Sequence, residues 1–383
     1  MAISVPPQSS RSRTRDRSAR PPRRGYRWLK AFVIIAAFTL IAGACELRTE
    51  AAKSGVLIGA GGTNPSWLDD PQYATVLGQQ FNSLSPENEL KWSFSEPQQG
   101  VFNFAPLDKL VAFAQQHRVA VKGHGLISGG LNPPWLTQMT DPAQVRAALT
   151  HHFNTLMRRY HKSMNRWDVA TEVLSTFGGS GVDQFTGNTA DARGLVENFW
   201  WKTLGPDYLA EVFQIAHKAD PSAKLFLNES LVELAPTKAQ ELHDVVADLV
   251  ARHVPIDGIG LEMHETFAAP PAGAITDIVK SYHALGLAVA ITEMDVHLSP
   301  LPNNGEYEAQ AAIYQKVIEE ALAAGIRDIS FWGFTDKHTF TWVPGAKPHI
   351  FDENYAPKAA YWAVWNALHE FGIQSSHGMR PPH

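Results

Sequence analysis

Short apolar or β-branched runs recur along the chain from Val56 onward, separated by stretches whose apolar residues have helical spacing. In LDKLVAFAQQH and EAQAAIYQKVIEEALAAG, for example, the apolar side chains fall on one face of a helix. Eight runs predict strands: VLIGAGG (56–62), FNSLSPEN (81–88), VAVKGHGLI (119–127), RWDVATEV (166–173), AKLFLNES (223–230), GIGLEMHE (258–265), AVAITEMDV (288–296) and DISFWGFTD (328–336). This alternation predicts a parallel sheet covered by helices.

Eight strand–helix units over about 310 residues fit one closed (β/α)8 TIM barrel, with long loops after the third and fourth strands. An open doubly wound sheet is the rival α/β fold. A dinucleotide site in such a sheet needs a glycine-rich phosphate loop after the first strand, and no such loop follows here. We therefore predict one barrel domain over residues 51–372, preceded by a leader over 1–50 and followed by a flexible tail over 373–383.

The leader has a composition of its own. Its first 30 residues are rich in Arg, Pro and Ser, and the 15 residues from Ala31 to Cys45 carry no charge. A cationic stretch before a short apolar stretch predicts an export signal rather than a transmembrane anchor, because so short a stretch barely spans a bilayer. We expect an exported protein that is secreted, periplasmic or held at the cell surface.

Cys45 is the only cysteine, so the chain forms no internal disulfide. It follows AGA at the end of the apolar stretch, a position that resembles the cleavage box of a bacterial lipoprotein. In that case the thiol is acylated and tethers the protein to a membrane. Plain secretion stays open, since a lone cysteine is also an ordinary small apolar residue.

The composition narrows the partners. A formal net charge of −5, without a long basic run after the leader, argues against a nucleic-acid-binding protein. The 11 tryptophans suit a carbohydrate partner, although tryptophan is also ordinary core material. We expect a monomer that uses no cofactor.

Polar residues collect where the predicted strands end: Glu87, Asn88, His124, Glu172, Asn228, Glu229, His264, Glu293, Asp295 and Asp336. In a (β/α)8 barrel this edge is the mouth, where the loops build the active site. Glu172 interrupts an apolar run, and burying its carboxylate without a partner would cost several kcal/mol. We therefore expect Glu172 to face a cleft.

A cleft lined by carboxylates, histidines and tryptophans favours hydrolysis of a neutral polar polymer. Glu172 and Glu293 end the fourth and seventh strands, so they can face each other across the mouth. Two carboxyl groups that flank a glycosidic oxygen supply a proton for the leaving group and a nucleophile or base. The alternative is that each is a structural carboxylate in an ion pair.

Glu293 and Asp295 are two residues apart on the seventh strand, so their side chains project to the same face. His264 ends the neighbouring strand and is placed between them. As an imidazolium it would lower the pKa of Glu293, which predicts an ionised nucleophile. Glu172 lies in an apolar context near Trp167, which predicts a raised pKa and a proton donor. The alternative is that His264 is an ordinary core histidine.

His124, His264 and the carboxylates could also bind zinc or another divalent ion. No H-x-x-x-H or H-E-x-x-H pattern lies on a predicted helix, so the ligands would have to come from separate strands. A metallohydrolase therefore stays open as an alternative, with no metal ligand assigned.

Eight segments after Val56 carry a family resemblance: SPENELKW (85–92), EPQQGVFNF (96–104), GHGL (123–126), WDVATE (167–172), LFLNE (225–229), VPIDGIGLEMH (254–264), ITEMDV (291–296) and WGFTDKHTFTW to FDENYAPKAAYWAV (332–364). Together, and in this order, they resemble glycoside hydrolase family 10, the (β/α)8 xylanases. The implied substrate is a plant cell-wall β-glycan, xylan or xylo-oligosaccharides by default, cut inside the chain.

The resemblance implies that Glu172 is the acid/base and Glu293 the nucleophile of a retaining mechanism, supported by His264 and Asp295. The two carboxyl groups should then lie about 5–5.5 Å apart. It also implies a set of substrate contacts, namely Glu87, Asn88 and Lys91 one sugar beyond the cleavage point on the non-reducing side, and His124, His264, Trp332 and Trp342 at the cleavage point.

The chain departs from the family close to the chemistry. Where the family reads G-H-T-L-V-W-H-x-Q, this chain reads GHGLISGGL, with Ser128, Gly129 and Leu131 in place of Trp, His and Gln. Thr171 replaces the Asn before the acid/base, and Thr is too short to replace its contact with the sugar directly. We expect a wider cleavage subsite that accepts a larger or substituted sugar.

Glu262 replaces the Gln two residues before His264, and we count it and Thr171 among the substrate contacts. A third carboxylate at this point is expected to raise the pKa of Glu172 further.

A carbohydrate-binding protein of the same fold, with weak or no catalysis, is the alternative from another class. A glycosidase for a different or substituted β-glycan is a further one. The presence of both carboxylates argues against a mere binding protein, which has no need of the pair.

Overall fold

The computed structural model describes residues 46–266 and 268–376. The predicted export signal, Cys45 and residues 377–383 of the predicted tail lie outside the described residues. The strands are β1 (Leu57–Thr63), β2 (Ser83–Pro86), β3 (Ala120–Gly123), β4 (Met164–Thr171), β5 (Gly181–Val182), β6 (Thr189–Ala190), β7 (Lys224–Glu229), β8 (Gly258–Leu261), β9 (His264–Thr266), β10 (Ala288–His297) and β11 (Asp328–Trp332).

The helices are α1 (Leu47–Lys53), α2 (Pro71–Gln80), α3 (Trp92–Ser95), α4 (Ala105–His117), α5 (Pro134–Thr137), α6 (Pro142–Tyr160), α7 (Phe199–Leu204), α8 (Tyr208–Ala219), α9 (Pro236–Ala251), α10 (Ala274–Ala284), α11 (Gly305–Ala324) and α12 (Ala359–Ser376). Two short 3₁₀ helices cover Pro65–Asp69 and Pro302–Asn304.

Eight parallel strands close into a barrel, which confirms the predicted fold. They follow one another in the order β11-β1-β2-β3-β4-β7-β8-β10, and β10 pairs with β11 to complete the ring. The predicted long loops follow β3 and β4, and the loop after β4 contains the antiparallel hairpin β5–β6. The short strand β9 continues past the end of β8 and pairs with β10, which places His264 beside Asp295.

The helices form where the sequence gives them an N-cap and one apolar face. Asp70 and Asp141 each cap a helix by accepting a backbone N–H two residues ahead, and a proline follows each cap. In α8 the buried side chains include Leu209, Val212, Phe213 and Ala216, a helical spacing that faces the barrel.

The ends of the described chain meet below the start of the strands. Glu50 Oε2 in α1 forms a hydrogen bond with Nδ1 of His369 in α12, at 3.2 Å. The backbone N–H of Leu47 donates to Gln80 at the end of α2, and that of Val56 donates to Ala51 just before β1 begins.

Among the described residues, no helix combines the length and apolarity that crossing a membrane requires.

Several predicted strands end early beside residues with a left-handed backbone, and the third and the sixth are examples. The third predicted strand stops at Gly123, shortly before Gly125 with φ of 79°, although Ile127 still bridges to Ala170. The sixth is interrupted at Met263 with φ of 62°, so that β9 forms a separate strand. Both interruptions turn side chains at the mouth of the barrel.

Candidate active site

Several of the predicted site residues gather around Glu293 at the C-terminal ends of the strands. Glu293 is buried in β10 and faces two histidines. His124 Nδ1 lies 3.6 Å from Oε1 of Glu293, and His264 Nε2 lies 3.4 Å from its Oε2. Asn228 Nδ2 donates to Oε1 at 2.8 Å. Burial by itself raises the pKa of Glu293, but His124, the hydrogen bond from His264 and Lys91 outweigh burial and lower it.

His264 bridges the two carboxylates between which the sequence placed it. Its Nδ1 donates to Asp295 at 2.8 Å while its Nε2 faces Glu293. Burial disfavours the charged ring, but Asp295 and Glu293 outweigh burial and raise the pKa of His264 well above its usual value. The pKa of Asp295 falls to about 2, since the charge and hydrogen bond of His264 overcome burial there. His264 is therefore an imidazolium rather than a neutral core histidine.

Glu172 follows the last residue of β4 and opens to the cleft. Its backbone has φ of 50°, a left-handed conformation that is uncommon for glutamate and typical of functional sites. Its backbone N–H donates to Asn228 O at 3.1 Å. Although the mouth leaves the side chain accessible, the surrounding protein desolvates the carboxyl group. Desolvation first, then the charges of Glu229 and Glu293, raise the pKa of Glu172.

Glu229, at the end of β7, ties down the segment after Glu172. Its Oε2 accepts the backbone N–H groups of Val173 at 2.8 Å and Leu174 at 3.0 Å. Its Oε1 pairs with Lys238 Nζ at 2.8 Å, and both side chains are buried. Sequence reasoning listed Glu229 among the strand-end residues without giving it this role. No local pattern in the sequence marks this ion pair, because the burial of Lys238 in helix α9 is evident only from the structure.

A second buried ion pair supports His124 from inside the barrel. Asp168 in β4 binds Lys122 Nζ at 2.7 Å through Oδ1 and His124 Nδ1 at 3.1 Å through Oδ2. Burial opposes the ionised form of Asp168, but Lys122 and His124 overcome burial and lower its pKa. Sequence reasoning did not use this pair, although Lys122 and Asp168 stand inside apolar strands where charges require partners.

The predicted glycan-contacting residues line the rest of the cleft. Lys91 Nζ donates to Asn88 Oδ1 at 3.3 Å and lies 5.8 Å from the ring centre of Trp332. Glu87, next to Asn88, accepts a hydrogen bond from Asn64 at 2.9 Å.

Two aromatic rings stand against the two histidines. Trp332 packs edge-on to His124 at 4.9 Å, and Trp342 packs edge-on to His264 at 5.7 Å. Trp342 is 49% exposed and also stacks on His297 at 4.0 Å. His297, which sequence reasoning missed, contacts Asp295 at 2.9 Å and so helps to fix the partner of His264.

The loop after β3 has small residues at Ser128 and Gly129, where the family that the sequence resembles has Trp and His. A methyl group added at Gly129 would meet only the side chain of Asn198, at 3.5 Å, and one at Gly130 would meet nothing within 4 Å. Ser128 Oγ turns back to Gly130 O at 2.8 Å, and the side chain of Leu131 is exposed. This loop adjoins β4, since Thr171 N donates to Ile127 O at 3.0 Å. The loop is therefore free of bulky side chains at Ser128, Gly129 and Gly130.

Glu262 acts differently from the sequence prediction. Desolvation and then the charges of Glu293 and Glu172 raise its own pKa well above the usual value. The carboxylates that raise the pKa of Glu172 are Glu229 and Glu293 instead. Glu262 is more deeply buried than Glu172, which opens to the mouth. The repulsion among these carboxyl groups therefore raises the pKa of Glu262.

Two donor sets in the described part of the chain have ligand atoms within 4.8 Å of one another: His264, Asp295 and His297, and Glu262, His264 and Glu293. Both sets rely on His264, whose two ring nitrogens face carboxylates. Its raised pKa makes the ring an imidazolium, which has no lone pair for a metal ion. A metal ion at either set would have to displace a proton from His264, which the two flanking carboxylates favour.

Comparison with known proteins agrees with this geometry. A family model described as glycosyl hydrolase family 10 matches residues 46–367. Endo-1,4-beta-xylanase B of Thermotoga neapolitana is 33% identical over 334 residues, which cover 85% of this chain and 92% of that protein. Beta-1,4-xylanase of Dictyoglomus thermophilum is 30% identical over 319 residues, which cover 79% of this chain and 86% of the relative.

Solved structures show the same likeness. Native xylanase 10B from Thermotoga maritima aligns with a TM-score of 0.77 at 32% identity, covering 86% of this chain and 99% of that one. Xylanase 10B from Thermotoga petrophila, solved in complex with xylobiose, aligns with a TM-score of 0.77 at 32% identity, covering 85% and 98%.

Proposed function

The chain belongs to glycosyl hydrolase family 10, and on that premise we propose that it hydrolyses β-1,4-linked xylan inside the polymer, with retention of anomeric configuration. One observation carries the mechanism: Glu172 and Glu293 belong to the same barrel mouth, and their environments shift their pKa values in opposite directions. Such divergence is what separates an acid from a nucleophile in a pair of carboxyl groups. The relatives named as xylanases support the choice of xylan as substrate.

In the first step the ionised Glu293 attacks the anomeric carbon of the bound sugar. Glu172 gives its proton to the glycosidic oxygen as the bond between that oxygen and the anomeric carbon breaks. The products of this step are a leaving glycan with a free hydroxyl group and a sugar esterified to Glu293. His264 and His124 keep Glu293 ionised beforehand, while Glu229 holds the backbone next to Glu172 in place.

In the second step Glu172, now a carboxylate, takes a proton from water. The resulting hydroxide attacks the anomeric carbon, and the ester bond to Glu293 breaks. Two inversions at the same carbon give retention. No step requires a group beyond the side chains of the cleft and water.

We propose that xylose units lie along the cleft on Glu87, Asn88 and Lys91 before the cleavage point, and against Trp332 and Trp342 at it. Lys91, joined to Asn88 and placed over Trp332, connects these two positions. The rings supply apolar faces for the sugar, and the amide, ammonium and carboxylate groups suit its hydroxyl groups.

The cleavage subsite is proposed to accept a sugar that carries a substituent. The bare loop at Ser128, Gly129 and Gly130 opens the space beside Thr171, and threonine presents a shorter side chain than the asparagine it replaces. A substituted xylan, or another β-glycan with a bulkier unit, would use this space.

We also propose that the protein is exported by its leader, and that acylation of Cys45 tethers it to a membrane. The support is the cationic stretch followed by an uncharged stretch that ends in a single cysteine. Mass spectrometry of the mature N-terminus distinguishes an acylated cysteine from a plain cleavage site.

The proposed function is tested with purified enzyme and a panel of xylans, β-glucans and xylo-oligosaccharides, with the first product anomer followed by NMR. We expect internal cleavage of xylan and initial release of the β-anomer. Glu293→Ala should abolish turnover, and Glu172→Ala should lower the turnover of xylan about 10²–10⁴-fold. The loss in Glu172→Ala should be smaller for an activated aryl β-xylobioside, whose leaving group needs little protonation.

Glu353→Ala is the control, because Glu353 is an exposed carboxylate that pairs with Lys347. Tight binding of xylo-oligosaccharides without turnover by the wild-type protein would contradict the proposal and support the carbohydrate-binding alternative. Initial release of the α-anomer would contradict retention.

A further inference from the structure

Glu262 and Glu293 share the amide group of one asparagine. Asn228 Nδ2 donates to Oε1 of Glu262 and to Oε1 of Glu293, at 2.8 Å in each case. The orientation of this amide is fixed, because Asn228 Oδ1 accepts the hydroxyl group of Thr292 at 2.5 Å. Asn228 is fully buried, so both carboxyl groups are held at a rigid point of the barrel.

The positive charges near this point favour Glu293. His124 and His264 approach Glu293 at 3.6 Å and 3.4 Å, and Lys91 adds a further positive charge. Glu262 is 3% exposed, and its nearest cation is His264, at 3.7 Å from Oε2. That ring already serves Asp295 and Glu293. The positive charge of the site is therefore concentrated on Glu293 rather than on Glu262.

The charged and titratable groups that face Glu262 come from four elements, and most of them are acidic. They are Glu293 in β10, Glu172 after β4, Glu229 in β7 and His264 in β9. Burial and the three carboxylates favour the neutral form of Glu262, while the imidazolium and the hydrogen bond from Asn228 oppose it.

We propose that Glu262 carries a proton throughout the catalytic cycle, and that this neutral carboxyl group is a positioning residue that helps to fix Asn228 and thereby Glu293. The inference rests on the proposed function for the cycle, although the protonation of the resting protein does not. Oε1 of Glu262 accepts from Asn228, which leaves Oε2 as the oxygen that bears the proton.

The charge balance of the two steps explains why Glu262 can stay neutral. When Glu293 forms its ester it loses its negative charge, and Glu172 becomes negative in the same step by giving up its proton. Hydrolysis of the ester reverses both changes. Among Glu172, Glu262 and Glu293 there is one negative charge before and after each step, so no step needs to ionise Glu262. A protonated carboxyl group is also the neutral form that glutamine imitates.

The proposal is tested by infrared difference spectroscopy of the resting protein, which requires no turnover. The spectrum of the wild type minus that of Glu262→Gln at about pH 7 should contain the C=O band of a protonated carboxyl group, with a small shift in D₂O. Glu353→Gln is the control, and its difference spectrum should contain only ionised carboxylate bands. If the Glu262→Gln difference also contains only carboxylate bands, the proposal is overturned.

Kinetics give an independent readout. In the pH profile of kcat/KM for an aryl β-xylobioside, Glu262→Gln should leave the alkaline limb in place, because the variant replaces a neutral carboxyl group by a neutral amide. Glu262→Met cannot accept from Asn228 and should lower kcat about tenfold or more. It also gives a second difference spectrum should the glutamine variant not fold.

An ionised Glu262 would behave differently. Its removal in Glu262→Gln would take a negative charge away from Glu172, lower the pKa of Glu172 and move the alkaline limb to lower pH. That shift would contradict the proposal. A protein that shows the protonated band but does not cleave xylan would contradict the proposed function and not the protonation of Glu262.

Discussion

At the scale of a single residue, His264 acts with His124 to keep Glu293 ionised. Its ring nitrogens face Asp295 on one side and Glu293 on the other. Asp295 stabilises the positive charge of the ring, and that charge in turn stabilises the ionised form of Glu293. The acid limb of kcat/KM reports the ionisation of the free enzyme's nucleophile. Asp295 therefore influences that limb without touching the reacting sugar.

Asp295→Asn removes the charge that keeps His264 protonated. The pKa of His264 falls, the neutral ring no longer offsets the burial of Glu293, and the pKa of Glu293 rises. The acid limb of kcat/KM should move to higher pH by about one unit, with kcat reduced about tenfold at the optimum. The measurement is a pH profile with xylotetraose. Asp69→Asn is the control, since Asp69 is 77% exposed and pairs with Lys109. An unmoved acid limb would mean that His264 keeps its charge without Asp295.

At this scale the sequence predicts contacts within or beside one strand better than contacts across the barrel. The placement of His264 between Glu293 and Asp295 follows from the alternation of side chains, and the structure contains both contacts. The bridge from Asn228 to Glu262 and Glu293 depends on the register of three strands, which no local pattern specifies.

The loop after β3 is the element whose sequence departs most from the family around the cleavage point. Two hydrogen bonds hold its backbone in place, since Trp200 Nε1 donates to Ser128 O at 2.8 Å and Asn132 Nδ2 donates to the same oxygen at 3.1 Å. The loop is therefore fixed while its cleft side lacks large side chains. A Cβ atom added at Gly129 would meet only the side chain of Asn198, at 3.5 Å, so this position has room for a side chain.

Gly129→His should narrow the cleavage subsite selectively. We expect kcat/KM to fall about tenfold for xylo-oligosaccharides with a substituent on the sugar at the cleavage point, and to stay within about threefold for linear ones. Gly130→Ala is the matched control, because a methyl group there meets nothing within 4 Å. Equal losses on both substrates, or no wild-type activity on substituted ones, would refute the wide subsite.

At the scale of elements, the sequence predicts all eight barrel strands, because each is an apolar run between helical stretches. What it could not predict is the break at Met263, where β-type residues continue through a left-handed position that no glycine marks. The hairpin β5–β6 was missed as well. Its two-residue strands are too short for a periodic pattern.

Two buried carboxyl groups affect the stability of the whole molecule. Glu233 and Glu265 are buried, and in the described structure neither oxygen of either group has a hydrogen-bond partner. Burial raises the pKa of Glu233 to about 6 and that of Glu265, which also faces the charge of Glu233, to about 9. The folded state therefore holds these protons more tightly than the unfolded state does.

The sign of the pH dependence follows. Below about pH 4.5 both groups are protonated in the folded and in the unfolded protein. As the pH rises, the unfolded protein loses these protons first, so the free energy of unfolding falls until the pH passes the folded pKa values of about 6 and about 9. Glu265→Gln removes the group with the higher value, so the fall in Tm between about pH 5 and about pH 9 should be smaller than in the wild type. Differential scanning calorimetry at the two pH values measures this. An equal fall in Tm in both proteins would show that Glu265 is not the source.

The position of α1 has a consequence for how the enzyme meets a solid substrate. Arg48 in α1 donates to Gly78 O and to His117 O, which belong to the last turns of the two helices that lead into β2 and β3. Helix α1 therefore packs at the base of the barrel, where the strands begin. The carboxyl pair lies at the opposite rim. The helix α1 and the carboxyl pair therefore lie at opposite ends of the barrel, so a surface that captures the enzyme through α1 leaves the cleft accessible to polymer.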